Sequence, residues 1–477
     1  EAAAHILAQC AGLPLAIRIA GARLAARPAW TLRSLADRLA GARRLDELAI
    51  EDAAVRATFR VSYDALCSSL TVDDRAAARA FRLLGLWGGA DLSLEAAAAL
   101  LDCSVDEADY ALETLVDAHL LENPVMGRYR LHDLLRAYAR ECAEAETPAA
   151  ERESAGQRLV SWYLYAVAAA TDWFNRERTS LDYASVGAAP PAALPVLADR
   201  AAAIEWARQE RSNFRVVTEL AAAGPHPLAA CMLGGELFHV FTQTAFWAEL
   251  RACDTIGLEA ARQLGDPVSL AKMLTGLSTA DRVCGDLEGS LAKAREGLGF
   301  AEQGDNPHTH FTSMIHYASS LHCVERYEEA ITAYERAFAE RRGPVREGPL
   351  AAAMNNLGFA YHKLRRYQEA IERYRPALEL SRASRTLYVE AAILDGIGQA
   401  HLGAGDAEEA VSWLRQAIAL RVKLGDQGGT GSSLDHLGDA HRLAGRLDEA
   451  RDSWTRAVTA LEAVRHPGAD AVRAKLA

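Results

Sequence analysis

A spacing of 40 residues runs through the second half of the chain and restricts its fold more than any other feature. Three columns at this spacing hold only alanine or glycine, and a fourth column holds a large side chain. Small residues at helical intervals let two helices approach closely, and a large residue then fills the space behind them. The spacing therefore predicts stacked pairs of α-helices. The three small columns and then the large column are Ala318, Gly358, Gly398, Gly438; Ala330, Ala370, Ala410, Ala450; Ala337, Ala377, Ala417, Ala457; and Tyr334, Tyr374, Leu414, Trp454.

The unit built on these columns resembles the tetratricopeptide repeat, lengthened beyond its usual length of about 34 residues. Acidic residues open each second helix, where they suit the positive helix end. Gly405-Asp406 and Gly445-Arg446 break the chain between helices. Weaker units continue backwards, which predicts about six repeats over residues 231–465 and a tail at 466–477. Such repeats stack into a curved α-α superhelix whose inner wall is lined by the first helix of each pair.

The inner wall of this superhelix is the expected binding site for a protein or peptide partner. Residues on the first helices, between the packing columns, should face the groove. A wall that is merely solvated is the alternative. The predicted groove residues are Asn355, Asn356, Phe359, His362, Asp395, Gln399, Asp435, Asp439 and Arg442.

Charge and composition argue against several classes of protein. A net charge of −12 lacks the basic footprint of nucleic-acid binding. No apolar run approaches the roughly 20 residues that span a bilayer, and the first residues carry no signal segment. We therefore expect a cytoplasmic protein. No arrangement of Ser/His/Asp or of paired carboxylates suggests an enzyme.

The cysteines and histidines give no sign of a metal site. The eight cysteines are scattered without a Cys-x-x-Cys pair, which favours buried, reduced thiols. A cluster of histidines precedes Cys323, but no two of its members have the i,i+4 spacing of helical metal ligands. His310 and Cys323 could still converge in space, but ordinary repeat surface is the favoured interpretation. The clustered histidines are His308, His310, His316 and His322.

Residues 71–147 have the rhythm of a winged-helix domain. Asp73-Asp74-Arg75 leads an apolar helix that Gly88-Gly89 is expected to end. A second helix is predicted over residues 94–101, and Ser104 is a good N-cap for a third. The order of these helices is what a winged helix requires before its strands.

Two short strands and a further helix complete this predicted domain. The strands, 120–122 and 128–131, flank a turn at residues 123–127. The last helix should bury one apolar side. The residues of that side are Leu131, Leu134, Leu135, Tyr138 and Cys142.

The charge of this segment argues against direct contact with DNA. Residues 104–123 contain no lysine or arginine, so phosphates would repel the helix that a winged helix normally places in the groove. Its acidic residues are Asp106, Glu107, Asp109, Glu113, Asp117 and Glu122.

Residues 148–230 form a predicted helical connector between the two halves. One helix is marked by large aromatic residues, a Pro/Ala-rich loop follows at 188–195, and another helix is predicted over 201–222. No chemistry is evident there. The aromatic residues of the first helix are Trp162, Tyr163, Tyr165, Trp173 and Phe174.

Three short motifs occur in an order that carries a family resemblance. Gly12-Leu13-Pro14-Leu15-Ala16 lies near the start, residues 59–66 read Phe-Arg-Val-Ser-Tyr-Asp-Ala-Leu, and Leu131-His132-Asp133 opens the last helix of the predicted winged helix. In this order they resemble the C-terminal half of an NB-ARC module, with residues 1–70 as its helical part. Such modules belong to the STAND class of signal-transduction ATPases. With the attached repeats, the chain is most similar to the AfsR/SARP-type transcriptional regulators of actinobacteria.

This resemblance implies a nucleotide site. Gly12, Leu13 and Pro14 would contact the adenine of ADP, and His132, next to Asp133, would contact its β-phosphate, with Leu131 in place of the usual methionine. An imidazole at a helix start adds a donor to a natural anion site. The chain has no Gly-x-x-x-x-Gly-Lys-Ser/Thr loop, so it is expected to be the downstream part of a larger regulator and to bind nucleotide weakly by itself.

The fold expected from these arguments is mainly α: a helical NB-ARC remnant, a winged helix and a tetratricopeptide-type superhelix. The expected function is the sensor part of an ADP/ATP-dependent switch, with no membrane contact and no catalysis by this chain. A repeat scaffold that binds a protein without nucleotide switching is the alternative. In that case Gly12-Leu13-Pro14 is a kink between helices and His132 only caps its own helix.

Overall fold

The computed structural model describes residues 2–9, 17, 20–21, 24–25, 30–36, 50–174, 181–342 and 347–477. They are mainly helical, with one small sheet. The chain divides into two compact units, Glu1–Gly265 and Asp266–Ala477. Within the described residues, no helix is long and apolar enough to span a membrane.

Among the described residues of the first unit, α1 spans Ala2–Gln9 and α2 spans Ile50–Cys67. Its central part runs α3 (Val72–Leu84), β1 (Leu92–Ser93), α4 (Leu94–Leu101), α5 (Val105–Asp117), β2 (Glu122–Val125), β3 (Arg128–Arg130) and α6 (Asp133–Glu146). The three strands form an antiparallel sheet in the order β1-β3-β2.

Side-chain caps define the starts of the helices in this part. The Thr71 hydroxyl accepts the backbone N–H of Asp74 at the start of α3, and the Ser93 hydroxyl accepts that of Ala96 in α4. Ser104 and Glu107 form a capping box at α5. The predicted helix over 94–101 and the predicted cap at Ser104 are therefore confirmed.

Other boundaries differ from the sequence prediction. Helix α3 ends at Leu84 rather than at Gly88-Gly89, because α6 packs directly on the next residue: a Cβ at Gly85 would lie 2.5 Å from the carbonyl carbon of Ala139. Strand β2 begins at Glu122 rather than at Leu120, and it runs through the first part of the predicted turn to Val125 with an irregular register. The side chain of Leu134 is 38% exposed rather than buried.

Four aromatic rings hold α2, α3 and α6 together. Phe59 and Tyr63 of α2 lie 5.9 and 6.1 Å from the ring of Tyr138 in α6, and Phe81 of α3 lies 5.6 Å from Tyr63. The motif at 59–66 therefore supplies core packing that fixes the position of α6.

The connector contains α7 (Ala149–Phe174), a short 3-10 helix (Tyr183–Val186), α8 (Arg200–Gln209) and α9 (Arg211–Ala223). Trp162 and Tyr163 of α7 are fully buried, whereas Tyr165, Trp173 and Phe174 are half-buried. The single helix predicted over 201–222 is wrong, because the chain bends at Glu210 between α8 and α9. The helix pair α10 (Leu228–Thr244) and α11 (Trp247–Leu264) completes this unit.

The described residues of the second unit form five further helix pairs and a short last helix. The pairs are α12/α13 (Pro267–Val283, Leu287–Ala301), α14/α15 (Pro307–Cys323, Tyr327–Glu340), α16/α17 (Glu347–Lys363, Tyr367–Ala383), α18/α19 (Leu387–Ala404, Ala407–Leu424) and α20/α21 (Gln427–Leu443, Leu447–Ala463), and the last helix is α22 (Ala469–Ala474). This is a tetratricopeptide-like stack, as the 40-residue spacing predicts.

The packing columns have the predicted role. A Cβ added at Gly358, Gly398 or Gly438 would lie 2.7, 2.6 or 2.3 Å from Tyr374, Leu414 or Trp454, respectively. Each large residue therefore packs against the bare backbone of the preceding helix.

The turns inside the pairs repeat the same period in the backbone. One residue in each turn has a positive φ, and three of these six residues are not glycine. A non-glycine residue in this left-handed region is strained by its Cβ. The six residues, spaced by 40, are Ala245 (φ 58°), Gly285 (89°), Glu325 (60°), Arg365 (59°), Gly405 (87°) and Gly445 (76°).

The cysteines are less buried than predicted. Cys67 and Cys284 are exposed, Cys103 and Cys323 are half-buried, and the other described cysteines are buried. The described cysteines are free thiols. The described residues contain no group of three or more His, Cys, Asp or Glu side chains that could hold a metal ion.

Candidate nucleotide-sensing and partner-binding residues

His132 is the N-cap of α6, and its side chain is exposed. Its Nδ1 atom accepts the backbone N–H of Leu134 at 3.3 Å. When Nδ1 of a neutral imidazole accepts a hydrogen bond, the proton is on Nε2. The ring therefore presents an N–H donor at the start of a helix of 14 residues.

The neighbouring charges partly oppose an anion at this place. The side chain of Asp133 is 93% exposed, and its carboxylate lies 3.8 Å from the guanidinium of Arg136. Arg136 also donates to the carbonyl oxygen of Leu131 at 3.3 Å, which ties α6 to the end of β3. The helix end is thus fixed, with one carboxylate and one guanidinium beside the imidazole.

The adenine-side motif cannot be compared with this geometry. Gly12, Leu13 and Pro14 lie outside the described residues. Their role stays a prediction from the family resemblance.

Aromatic and imidazole rings line the predicted groove at α14 and α16. The ring of Phe359 lies 5.0 Å from that of His322 and 6.5 Å from that of His362, and Lys363 Nζ lies 5.1 Å above Phe359. Burial lowers the pKa values of His322 and His362, so both imidazoles favour the neutral form. Asn355 and Asn356 are partly exposed on the same helix as Phe359.

Asp395 does not face a groove as predicted, because it is only 6% exposed. Its carboxylate accepts hydrogen bonds from Ser433 Oγ at 2.6 Å and from Gln399 Nε2 at 2.6 Å, and it lies 3.3 Å from His436 Nδ1. Gln399 is correspondingly turned towards Asp395. These contacts link the first helices of two successive repeats, α18 and α20.

Burial and charge oppose each other in this pair. Burial would raise the pKa of Asp395, but the His436 charge and the hydrogen bonds lower it to about 2. Burial would lower the pKa of His436, but Asp395, Asp435 and Asp439 raise it. The pair is therefore an ion pair at mildly acidic pH, with a structural role that the sequence pattern alone does not reveal.

The remaining predicted groove residues are engaged within the chain. Lys475 Nζ, just after α22, lies 2.7 Å from carboxylate oxygens of both Asp435 and Asp439. Arg442 pairs with Asp439 at 3.1 Å and lies over the ring of Trp454. The structure thus gives Asp435 and Asp439 a cationic partner from the predicted tail.

A buried polar cluster in the first unit was not predicted from the sequence. Glu210, at the break between α8 and α9, has no exposed side-chain surface. It accepts hydrogen bonds from Arg128 Nη1 at 2.6 Å, Tyr163 Oη at 2.8 Å and Asn213 Nδ2 at 2.8 Å. The sequence gives no local signal for this cluster, because Glu210 lies in the polar run Arg208-Gln209-Glu210-Arg211-Ser212-Asn213, which is typical of an exposed helix face.

Comparisons with known proteins agree with the repeat architecture. The tetratricopeptide repeat family model matches residues 309–383, 349–423 and 389–463. The described helices α14 to α21 cover these three overlapping segments.

Two curated relatives are regulators from streptomycetes. Regulatory protein AfsR of Streptomyces griseus is 40% identical over 300 residues, which are 62% of this chain and 30% of that protein. Regulatory protein AfsR of Streptomyces coelicolor is 36% identical over 379 residues, which are 76% of this chain and 36% of that protein. The chain spans about a third of the length of these relatives.

A solved structure of a STAND protein with a tetratricopeptide repeat sensor, from Pyrococcus horikoshii, is similar with a TM-score of 0.43 and 12% identity. The match covers 97% of this chain and 71% of that one. This likeness is too weak to place a site. The sequence matches show that the chain is similar to a part of the AfsR regulators, and its second unit carries tetratricopeptide repeats.

Proposed function

We propose that the chain is the sensing part of an ADP/ATP-dependent switch that controls transcription. The sequence similarity to AfsR regulators supports the regulatory role. The motif Leu131-His132-Asp133 supports the nucleotide, because the resemblance to NB-ARC modules assigns its histidine to the β-phosphate of ADP. The repeats of the second unit then receive a protein or peptide signal.

The observation that carries the proposal is the geometry of His132. Its Nδ1 is occupied by the helix backbone, so Nε2–H is the donor left for a ligand. The start of a helix also presents unpaired backbone N–H groups and a partial positive charge, which suit a phosphate. A buried histidine would be incompatible with this role, and His132 is exposed.

In the proposed mechanism, ADP holds the domain of residues 71–147 against a nucleotide-binding core supplied by the rest of the regulator. His132 donates to the β-phosphate, and Gly12, Leu13 and Pro14 contact the adenine. A partner bound in the repeat groove weakens this closed state, ATP replaces ADP, and the regulator assembles to act on transcription. The acidic α5 makes this domain a lid rather than a reader of DNA.

The test is ADP binding to the protein expressed from its complete reading frame. His132→Ala should weaken ADP binding about tenfold or more, because a hydrogen bond to a charged group contributes about 1.5–3 kcal/mol. Asp133→Asn is the matched control at the next residue. It removes a carboxylate from the phosphate side, so ADP binding should be unchanged or tighter.

If His132→Ala leaves both ADP affinity and transcriptional output unchanged, the sensing role is wrong. The alternative function is then a scaffold that binds a partner without switching. The ring cluster at His322, Phe359 and His362 favours this alternative, because a partner could bind there without any nucleotide. A complete protein that binds no nucleotide and still captures its partner would establish it.

A further inference from the structure

The buried cluster around Glu210 joins elements that the sequence assigns to different domains. Arg128 lies on β3, Tyr163 on α7 and Asn213 on α9. The same guanidinium binds both carboxylate oxygens of Asp91, with Nη2 to Oδ1 at 2.5 Å and Nε to Oδ2 at 3.1 Å. The predicted boundary between residues 71–147 and 148–230 therefore passes through a continuous hydrogen-bonded network.

Asn213 connects the network to the loop before β1 through two hydrogen bonds. Its side-chain oxygen accepts the backbone N–H of Ala90 at 3.1 Å, and its Nδ2 donates to the carbonyl oxygen of Asp91 at 3.1 Å. A Cβ at Gly89 would lie 2.5 Å from the Asn213 oxygen, so the loop backbone is pressed against α9. The ring of Trp87 stacks on Tyr163 at 5.7 Å. Apolar packing thus encloses the polar groups.

The ionic contacts of this network centre on Arg128. Arg128 carries one positive charge between two carboxylates, those of Asp91 and Glu210. Burial would lower the pKa of Arg128, but the two carboxylates raise it, so the guanidinium stays charged. A buried ion pair adds little net stability, whereas removal of one partner leaves an uncompensated charge. A buried network whose polar groups are hydrogen-bonded also fixes the relative positions of the elements that it joins.

Strand β3 connects this network to the start of α6. Arg128 precedes His132 by four residues, or about 13 Å of extended chain. Arg136 of α6 returns to the same region by donating to the carbonyl oxygens of Leu131 and Gly88. The segment that carries His132 is therefore held on one side by the contacts of Arg128 and on the other by those of Arg136.

We propose that Glu210 is a positioning residue that locks the small-sheet domain to helices α7–α9, so that residues 72–223 move as one body and His132 follows α8 and α9. A hinge between residues 147 and 148 is thereby ruled out, and any movement that reaches the helices of the connector also reorients His132. The role in nucleotide sensing rests on the proposed function, whereas the rigid coupling does not.

The first test measures hydrogen–deuterium exchange of the chain with Arg128→Met or Glu210→Gln. Arg128→Met leaves Glu210 buried without its charge partner, and Glu210→Gln keeps its size while removing the charge. Both variants should raise exchange about tenfold or more in residues 132–137 and 89–93, with no change in α18–α21. The matched control is Arg130→Met, two residues further along β3, where the arginine pairs with Glu122 at the surface.

Increased exchange confined to β3, or an equal effect of Arg130→Met, overturns the rigid coupling. If both variants unfold the chain, the double variant Arg128→Met with Glu210→Met should refold it, because the buried charges of Arg128 and Glu210 are then both absent and the remaining carboxylate, that of Asp91, is 25% exposed to solvent. A double variant as unstable as the single ones also overturns the proposal.

The second test measures ADP affinity of the complete protein. Arg128→Met should weaken ADP binding, and the combination with His132→Ala should weaken it no further than His132→Ala alone. Fully additive losses would show that the Glu210 network does not act through His132. If the complete wild-type protein binds no ADP, the proposed function fails while the exchange result still decides the rigid coupling.

Discussion

Replacing Gly358 with alanine should destabilise the second unit, although glycine-to-alanine changes normally stabilise helices. Gly358 of α16 faces the ring of Tyr374, and an added Cβ would lie 2.7 Å from Cε1 of that ring. The ring cannot retreat, because its other side lies against Gly396 of α18, where a Cβ would lie 2.6 Å from Cζ. The new methyl group must therefore displace a ring that is held between two backbones.

The expected loss follows from two opposing effects. Alanine favours a helix over glycine by about 1 kcal/mol, and overpacking a core costs about 1–3 kcal/mol. The wedged ring places this site at the upper end of that range, so the net loss should be about 2 kcal/mol. The equivalent residue of the preceding repeat is already an alanine, Ala318, which packs near Tyr334. The two sites differ because the Tyr334 hydroxyl is hydrogen-bonded to Ser319 Oγ at 2.9 Å.

The assay is chemical denaturation, combined with hydrogen exchange of α16–α18 to localise the loss. Gly299→Ala in α13 is the matched control, because nothing lies within 4 Å of its added Cβ, and it should stabilise the unit by up to about 1 kcal/mol. In a Tyr374→Ala background, Gly358→Ala should no longer destabilise the unit, because the ring that the new methyl group would meet is absent. If Gly358→Ala behaves like Gly299→Ala, the wedged-ring argument is refuted.

Two further predictions concern the backbone and the ion pair of the repeats. Arg365→Gly should stabilise the second unit by about 1 kcal/mol, because it removes the backbone strain of a non-glycine residue at φ 59°. Gly405→Ala, at φ 87°, should destabilise the unit by a similar amount. Thermal denaturation measures both changes, and stability changes of the same sign in the two variants would contradict the prediction. The Asp395–His436 pair should stabilise the repeats most between about pH 4 and 6.5. The raised pKa of His436 means that its contribution is complete below about pH 6.5 and is lost as the pH rises through the folded value. The lowered pKa of Asp395 means that its contribution is present above about pH 4 and is lost as the pH falls towards about 2. The difference in melting temperature between the wild type and His436→Asn should therefore shrink from pH 5.5 to pH 8.5, and a constant difference would count against the pair.

The repeats were predictable because their packing is local and periodic. The small columns specify helix pairs through contacts between neighbours in sequence, as between Gly438 and Trp454. The helix start at Ser104 was predictable for the same reason, since a cap acts within one turn. The left-handed turns at Glu325 and Arg365 were not, because neither residue has the glycine that normally signals such a turn.

Long-range contacts account for what the sequence pattern missed. The chain bends at Glu210 to place its carboxylate beside Arg128, 82 residues earlier, and no local pattern records that partner. Asp395 occupies a groove position by its spacing but binds Ser433, 38 residues later. At the candidate nucleotide site, the motif that contains His132 could be located from the sequence. The hydrogen bond from the Leu134 N–H to Nδ1, which leaves Nε2 for a ligand, could be seen only from the backbone geometry of α6.

The equal spacing of the left-handed turns has a consequence for how such an array changes its length. The chain also makes left-handed turns between successive pairs, at Arg385 (φ 53°) and Gly425 (φ 70°). A deletion of 40 residues, such as 387–426, would put the turn at Arg385 in the place of the one at Gly425, so that α20 would still follow a turn of the same backbone form. The side chains at the new junction would not match, however. After the deletion His436 takes the position of Gly396, so its imidazole would meet the ring of Tyr374, against which Gly396 now presents no side chain. The repeats share one backbone form, but the side chains that pack between neighbouring repeats differ. Gain or loss of a whole repeat therefore calls for compensating substitutions at the new junction.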